Sequence, residues 1–257
     1  MIDLLADFNR TYPHHPLREE VLFHTLFDDP WLDKEATEIL EKDGKFIAGI
    51  FVKHHTDDPT IAHIGLLHVM EHARGQGLGT QLMRRALSHL QARGVKTVIL
   101  GQERHVLAPG LLDASALSFF KRFGFVKTGK AFNLHRAHHA GVLTIPKHPF
   151  TVRRLEASDL SALRDFIACH FSSRWAQEVD TYCATRQQGN AFIVFEAGTE
   201  LVAFARANLH GRDPLMHNIQ YAARYDLLGG IGPLGVAPAY RKMGLGRAIV
   251  AYAHNML

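Results

Sequence analysis

The amino-acid sequence predicts a mixed α/β (α+β) protein that carries the same fold twice in tandem. Two observations support this prediction. A strand, a glycine-rich loop and an amphipathic helix follow one another at two places, and the second copy repeats the first at a constant spacing of 167 residues. At both places a β-hairpin pattern comes before the strand, and a helical stretch comes before the hairpin.

The repeat is clearest in two segments of sixteen residues, 64–79 and 231–246. They align without a gap, and eight of the sixteen aligned positions are identical, whereas unrelated segments would share roughly one. The identical positions are 64, 65, 67, 69, 74, 77, 78 and 79 of the first segment. Coincidence does not explain this agreement, so the two halves of the chain share an ancestor.

The elements before the first repeated segment are a helix and a β-hairpin. The pattern predicts a helix over Leu17–Phe27 and strands over Ala36–Glu41 and Phe46–Val52. The dipeptide Asp43-Gly44 between the strands is typical of a hairpin turn.

The second half has the same order of elements. The pattern predicts a helix over Asp159–His170, and two strands, Ala191–Glu196 and Leu201–Ala207, flank Gly198. Glycine and two prolines interrupt the periodic pattern between the halves, at positions 141, 146 and 149. The predicted parts are an N-terminal domain over 1–140, a linker over 141–148 and a C-terminal domain over 149–257.

The glycine-rich loop connects a predicted strand, Ile61–Val69, to a helix that begins at Leu78 and stops at Gly94. Backbone N–H groups are unpaired at a helix N-terminus, and glycine lets an anion approach them, so the loop is a candidate phosphate site. Neither copy has the Gly-Lys-Ser/Thr of a Walker loop, and the GxGxG of the first copy differs from the Rossmann GxGxxG. A tight turn without a ligand is the competing interpretation, which the second copy argues against.

At this loop the sequence resembles the GNAT acetyltransferases, which carry Q/R-x-x-G-x-G/A between their fourth strand and third helix. Both loops match, with Arg74, Gly77 and Gly79 in one copy and Arg241, Gly244 and Gly246 in the other. The family lead-in, aliphatic-x-Val-x-Pro, fits Leu234–Pro238, whereas Glu71 stands at the proline position of the first copy. A second family signature, an Ala-x-x-Phe-aromatic helix that ends in Gly-Phe, matches Ala116–Phe125 after the predicted fifth strand Val95–Leu100.

The resemblance implies a fold and an activity for each copy. The fold is a central mixed, mostly antiparallel sheet that splays between its fourth and fifth strands and is flanked by helices. The implied activity is direct transfer of the acetyl group of acetyl-CoA to a primary amine of a small molecule or protein. A non-catalytic acetyl-CoA-binding or interaction module of degenerate GNAT fold is the alternative. The tandem arrangement resembles bacterial double-GNAT proteins.

The resemblance also assigns cofactor contacts. Acetyl-CoA is expected in the gap between the splayed strands, with its pantetheine arm along the fourth strand and its pyrophosphate on the loop amides. The implied binding residues are Leu67, Val69, Arg74, Gly75, Gln76, Gly77, Leu78, Gly79, Thr80, Asp113, Ala116 and Phe120, with Arg241, Gly244 and Gly246 in the second copy.

The catalytic groups follow less directly. Phe120 stands where the family usually has a tyrosine acid, and a phenyl ring cannot donate a proton. Glu71, Glu103 and His68 lie near the expected cleft and are the candidate proton acceptors. For each of them a purely structural or solvated role is the alternative.

The second copy departs further from the family pattern. The chain stops at Leu257, inside the helix that follows its glycine loop, so we expect no fifth strand or aromatic helix there. A shortened chain and a structural partner domain are the two explanations. We therefore expect the working site in the first copy.

Composition narrows the function classes. Lys and Arg number 29 against 25 Asp and Glu, a formal charge of +4, without a basic run that would suit nucleic acid. No apolar stretch approaches membrane-spanning length, and the two cysteines have no CxxC spacing, so we expect a cytoplasmic protein without membrane contact. The 18 histidines lack a metal-ligand pattern, so no metal is expected, and a homodimer is left open.

Overall fold

The structure is a computed structural model that describes residues 2–257 except 56, 103–106, 109, 131, 133, 137–140, 187–190, 210–222, 226 and 227. The chain divides into two compact units. Unit 1 comprises Met1–Leu134 with Gln220–Arg224, and unit 2 comprises His135–Ile219 with Tyr225–Leu257. The predicted domain and linker boundaries stay a prediction.

Unit 1 is a four-stranded sheet with helices on both faces. Its sheet has the order β1-β2-β3-β4, in which the first three strands are antiparallel and β4 runs parallel to β3. The mixed, mostly antiparallel sheet is therefore confirmed. Its elements are α1 (Ile2–Thr11), α2 (Glu19–Leu22), β1 (Glu38–Lys42), β2 (Lys45–His54), β3 (Ile61–Val69), α3 (Leu78–Ala92), β4 (Thr97–Leu100) and α4 (Leu117–Lys121).

The predicted helix over Leu17–Phe27 needs a correction. The α-helix covers only Glu19–Leu22, and the chain continues as a π-helix over Phe23–Phe27, in which Asp28 N–H donates to the Phe23 carbonyl. The Thr25 hydroxyl donates to the Val21 carbonyl at 2.6 Å, so a side chain bonds the helix backbone where the winding changes.

Local sequence explains the other elements of unit 1. Asp43 and Gly44 both have positive φ, 53° and 71°, as a tight hairpin turn between β1 and β2 requires. Gly94, at φ 83°, ends α3 just after the last helical residues. The apolar face of α3 packs against β2 and β3, and its buried residues are Leu82, Met83, Ala86 and Leu90.

The sheet of unit 1 opens between β3 and β4. The two strands pair only from Ile61 with Thr97 to Ile64 with Leu100. Opposite β2, β3 has a bulge at Gly65, because Val52 pairs with Ile64 and Phe51 with Leu66. Within the described residues, no strand pairs with the β4 side of residues 65–69. These two strands are the ones that the family resemblance counts as the fourth and fifth, so the predicted splay is confirmed in unit 1.

Unit 2 has the sheet order β5-β6-β7-β8, with every neighbouring pair antiparallel. Strands β6 to β8 correspond to β1 to β3, and β8 carries an irregularity at the position equivalent to the β3 bulge. In the described part of this unit, β8 is an edge strand, as β5 is at the other side of the sheet. Its elements are β5 (Thr151–Arg154), α5 (Leu160–His170), α6 (Ser173–Arg186), β6 (Phe192–Ala197), β7 (Glu200–Leu209), β8 (Gly229–Val236) and α7 (Leu245–Met256).

The segment that leads into β1 is fixed to the sheet by a buried ion pair. Lys53 Nζ on β2 lies 2.8 Å from Asp29 Oδ2, and both side chains are fully shielded from solvent. Asp29 Oδ1 also accepts from the Trp31 N–H at 2.9 Å. Among the described helices, none is long and apolar enough to cross a bilayer.

Replacing one partner of this pair should destabilise the protein strongly. We expect Lys53→Met to lower the free energy of unfolding by about 3–5 kcal/mol, because it removes the ammonium group that Asp29 faces in a buried position. Urea unfolding of the Lys53→Met and Asp29→Leu single variants and of the double variant measures this. Recovery of much of the loss in the double variant is expected, and a simple sum of two losses would contradict the interpretation.

Candidate active-site cleft

The two glycine loops have nearly the same backbone conformation. Gly77 is the N-cap of α3 at φ 83° and ψ −3°, and Gly244 is the N-cap of α7 at φ 82° and ψ −4°. Both values lie in the left-handed region, which glycine enters without steric cost. The repeat found in the sequence is thus also a repeat in three dimensions.

The loop arginines make the same contact in both units. Arg74 Nε donates to the Val69 carbonyl at 3.0 Å, and Arg241 Nε donates to the Val236 carbonyl at 3.1 Å. Each arginine therefore ties the end of a strand to the loop that follows it. In unit 1, Arg74 Nη2 also reaches the Thr11 hydroxyl at 3.0 Å, so the loop is tied to the end of α1.

The loops differ in the residue that follows the arginine and in the surroundings of their last glycine. Lys242 occupies the place of Gly75, and both have positive φ, 66° and 76°. A Cβ at Gly79 would lie 3.5 Å from Val69 and 3.6 Å from Phe119, at ordinary van der Waals distance, so the start of α3 lies against both residues. In the described residues, a Cβ at Gly246 would meet no heavy atom within 4 Å.

The opening between β3 and β4 forms a cleft made of two adjoining pockets, of about 460 Å³ at the glycine loop and about 90 Å³ further inside. The volume at the glycine loop lies in the range of small-molecule sites. Both pockets share a junction, which we define as Tyr12, Leu67, Ala116 and Phe120.

The cleft gathers most residues that the sequence assigned to cofactor binding. The outer pocket is lined by Leu67, Val69, Arg74, Gly75, Gly77, Leu78, Gly79, Thr80, Ala116 and Phe120. Asp113 lines the inner pocket. Gln76 lines neither, because its side chain turns back and donates to the His72 carbonyl at 3.4 Å.

The cleft has a hydrogen-bonding wall and an electropositive end. Residues 65–69 of β3 present backbone groups on the side where β4 has diverged, and buried backbone groups need partners. The N-terminus of the 15-residue helix α3 points its unpaired N–H groups at the outer pocket, and the guanidinium groups of Arg74 and Arg122 line it. An extended ligand with an anionic end fits this arrangement.

Asp113 adds an acceptor at the inner end. The Ser115 hydroxyl donates to it at 2.5 Å and the Ser115 N–H at 2.8 Å, and these hydrogen bonds hold the pKa of Asp113 below its ordinary value. Asp113 therefore remains ionised at neutral pH and caps the turn that starts α4.

His68 lies in the wall of the outer pocket but faces the protein interior. It is 3% exposed, its Nε2 lies 2.8 Å from Asp7 Oδ2, and its ring is close to Phe8 and Phe46. Burial lowers the pKa of His68 against the opposing effect of the Asp7 carboxylate. Two guanidinium groups, of Arg10 and Arg74, also approach Asp7 and compete for its charge.

The two glutamates are placed differently. Glu71 lies in a short 3₁₀ turn, its side chain is 66% exposed, and it pairs with Arg10 at 3.3 Å. It lines neither pocket, because the turn directs it toward α1 rather than into the cleft. Glu103 lies outside the described residues.

Sequence reasoning missed the contribution of α1. Asp7, Thr11 and Tyr12 approach the cleft or its loop from this helix and the residue after it. One signal was available: Leu4, Asp7 and Phe8 share the buried face of α1, and an acid on an apolar helix face is unusual.

Comparisons with known proteins agree with this geometry. The model of the acetyltransferase (GNAT) family matches residues 1–125 and 160–255. The mycothiol acetyltransferase of Streptomyces avermitilis is 30% identical over 117 residues, which cover 44% of this chain and 35% of that protein. The mycothiol acetyltransferase of Cellulomonas flavigena is 27% identical over 130 residues, which cover 46% of this chain and 35% of that protein. This chain thus matches about a third of the length of these relatives.

A solved structure extends the fold similarity to nearly the whole chain. It contains a GCN5-related glucosamine N-acetyltransferase region of a fungal multi-domain GH3 β-N-acetylglucosaminidase. The TM-score is 0.77 at 20% identity, over 98% of this chain and 32% of the other. At this identity the similarity concerns the fold alone.

The buried His68 should make stability depend on pH. Its pKa is lower in the folded protein than in the unfolded chain, so below about pH 6.5 the unfolded chain binds a proton that the folded protein resists. We expect the free energy of unfolding to fall on acidification from pH 7 to pH 5, and to fall less in His68→Gln. Urea unfolding across this range measures the difference, with the surface substitution His72→Gln as control. An unchanged pH dependence in His68→Gln would contradict the assignment.

Proposed function

Because the chain belongs to the GNAT acetyltransferase family, we propose that it transfers the acetyl group of acetyl-CoA directly to a primary amine. The observation that carries this proposal is the cleft of unit 1, where an open strand edge leads from a helix N-terminus to the inner pocket. The acceptor is a small molecule or a protein.

The residues of the cleft fit the acetyl donor. The Cβ positions of Gly75 and Gly77 have open space around them, so an anion can approach the loop amides that precede and begin α3. These amides, with Thr80, would hold the pyrophosphate, and the edge of β3 near Leu67 and Val69 would pair with the amide-bearing arm. When bound, acetyl-CoA supplies an activated thioester carbonyl to the junction.

The protein's contribution to such a reaction is mainly positioning. Binding the amine and the thioester side by side lowers the activation barrier, because the translational and rotational entropy of two free reactants is lost on binding rather than in the reaction step. The apolar residues Leu67, Ala116 and Phe120 exclude water from the junction, which favours transfer to the amine over hydrolysis. An open β3 edge also offers N–H groups that can stabilise an oxyanion. Because His68 is held by Asp7, we assign it a positioning role rather than that of the base.

The relatives suggest which acceptor amines to test first. Since the matched relatives are mycothiol acetyltransferases, amines related to mycothiol are the first to test. Unit 1 is the proposed working site, and the loop of unit 2, with Arg241, Gly244 and Gly246, is a proposed secondary anion site. The domain boundaries, a cytoplasmic location and a homodimer stay predictions from the sequence.

Matched substitutions in the two loops test which unit works. Gly77→Glu and Gly244→Glu impose the same backbone cost, about 1–2 kcal/mol, because both glycines have positive φ and open space around the Cβ. Only the first places a carboxylate at the mouth of the proposed cleft. We expect Gly77→Glu to abolish acetyl-CoA turnover and Gly244→Glu to retain it.

The measurement is coenzyme A release, followed by chromatography, with mycothiol-related amines, glucosamine and a peptide amine as acceptors. Equal unfolding transitions of the two variants serve as the control for folding. Tight acetyl-CoA binding without turnover of any acceptor would contradict the proposed function and support the non-catalytic alternative. Loss of activity in Gly244→Glu alone would move the site to unit 2.

A further inference from the structure

Among the described residues, the junction of the cleft contains a single side chain that can donate a proton. Its described residues are Tyr12, Leu67, Ala116 and Phe120, and of these side chains only the Tyr12 phenol carries an O–H or N–H group. Breaking a thioester places an electron pair on sulfur, and an acid at that point speeds the step. The Tyr12 hydroxyl is therefore available as a proton donor at the point where the two pockets join.

Tyr12 is held in place from several directions. Its backbone N–H donates to the Phe8 carbonyl at 2.8 Å, and its ring lies 4.9 Å from the Phe8 ring between centroids. The neighbouring Thr11 hydroxyl accepts from Arg74, which in turn holds the end of β3. The phenol ring is thus packed against α1, next to the residue that Arg74 ties to the glycine loop, and a donor fixed in this way needs little reorganisation when the substrate is bound.

The surroundings keep the phenol protonated. Burial raises the pKa of Tyr12, the Arg74 guanidinium opposes this rise, and the Asp113 carboxylate adds to it. The hydroxyl is therefore in its proton-donating form throughout the neutral range.

We propose that the Tyr12 hydroxyl is the acid that protonates the leaving sulfur in acetyl transfer, an inference that rests on the proposed function. The nitrogen of the acceptor amine forms a bond to the thioester carbonyl carbon, and the carbon–sulfur bond breaks with its electron pair on sulfur. The phenol proton moves to this sulfur. The phenolate then recovers the proton that the acceptor nitrogen loses, through solvent, so the cycle leaves Tyr12 unchanged.

The test removes the Tyr12 hydroxyl and then introduces a new hydroxyl at Phe120, which also lines the junction. Tyr12→Phe should lower kcat about 100-fold or more and leave the KM for acetyl-CoA within about twofold, because the ring remains and only the donor is lost. Phe120 lines the same junction, so Phe120→Tyr in the Tyr12→Phe background should restore kcat at least tenfold. Tyr252→Phe, on α7 of unit 2, is the matched control and should leave kcat unchanged.

Coenzyme A release with the best acceptor of the amine panel gives kcat, and titration of acetyl-CoA gives KM. Wild-type turnover together with an undiminished kcat in Tyr12→Phe would overturn the role of Tyr12 and leave the proposed function intact. A loss of kcat that the Phe120→Tyr substitution does not reverse would also overturn proton donation and indicate a packing role. A wild-type chain without turnover would overturn both proposals.

Discussion

The divergence of β3 from β4 is the constraint on which the cleft depends. Pairing stops at Ile64 and Leu100, next to the bulge at Gly65, and β3 continues for five more residues beside β2 alone. A bulge increases the local twist of a strand, so a straight continuation of the parallel pair is not available beyond it. The same strand then ends at the N-terminus of α3. The bulge thus lies where the open backbone edge begins, and this edge leads to a helix N-terminus.

Comparison with unit 2 shows which features of the cleft depend on local sequence and which depend on elements distant in the chain. Its strand, loop and helix repeat the backbone of unit 1, including the left-handed N-cap and the arginine tie to the strand. These features recur in two segments of sixteen residues that share eight identical positions, so local sequence accounts for them. The cleft needs β4 and α4 as well, and these elements come from residues 97–121. A glycine loop is therefore necessary for the proposed site but does not create it.

The same distinction explains what the sequence could predict. The hairpins, the strand Ile61–Val69 and the loop were predicted correctly because their signals lie within short windows. Asp7 and His68 are 61 residues apart in the sequence and lie side by side in the structure. The acid on the apolar face of α1 indicates a buried partner, but no pattern within α1 identifies that partner as His68. Glu71 was judged by its nearness to the loop in sequence, whereas a 3₁₀ turn carries it away from the cleft and toward Arg10.

Contacts of Asp7 and Thr11 connect α1 directly to β3 and to the arginine of the glycine loop. Asp7 holds His68 on β3 and lies within 3.9 Å of Arg74, while Thr11 accepts from the same arginine. In both units the arginine Nε secures the end of its strand, and in unit 1 Nη2 also reaches the Thr11 hydroxyl at the end of α1. A shift of α1 would therefore disturb the loop and Tyr12 together. Because Tyr12, which follows α1, and the loop line the same outer pocket, a ligand in that pocket would contact both.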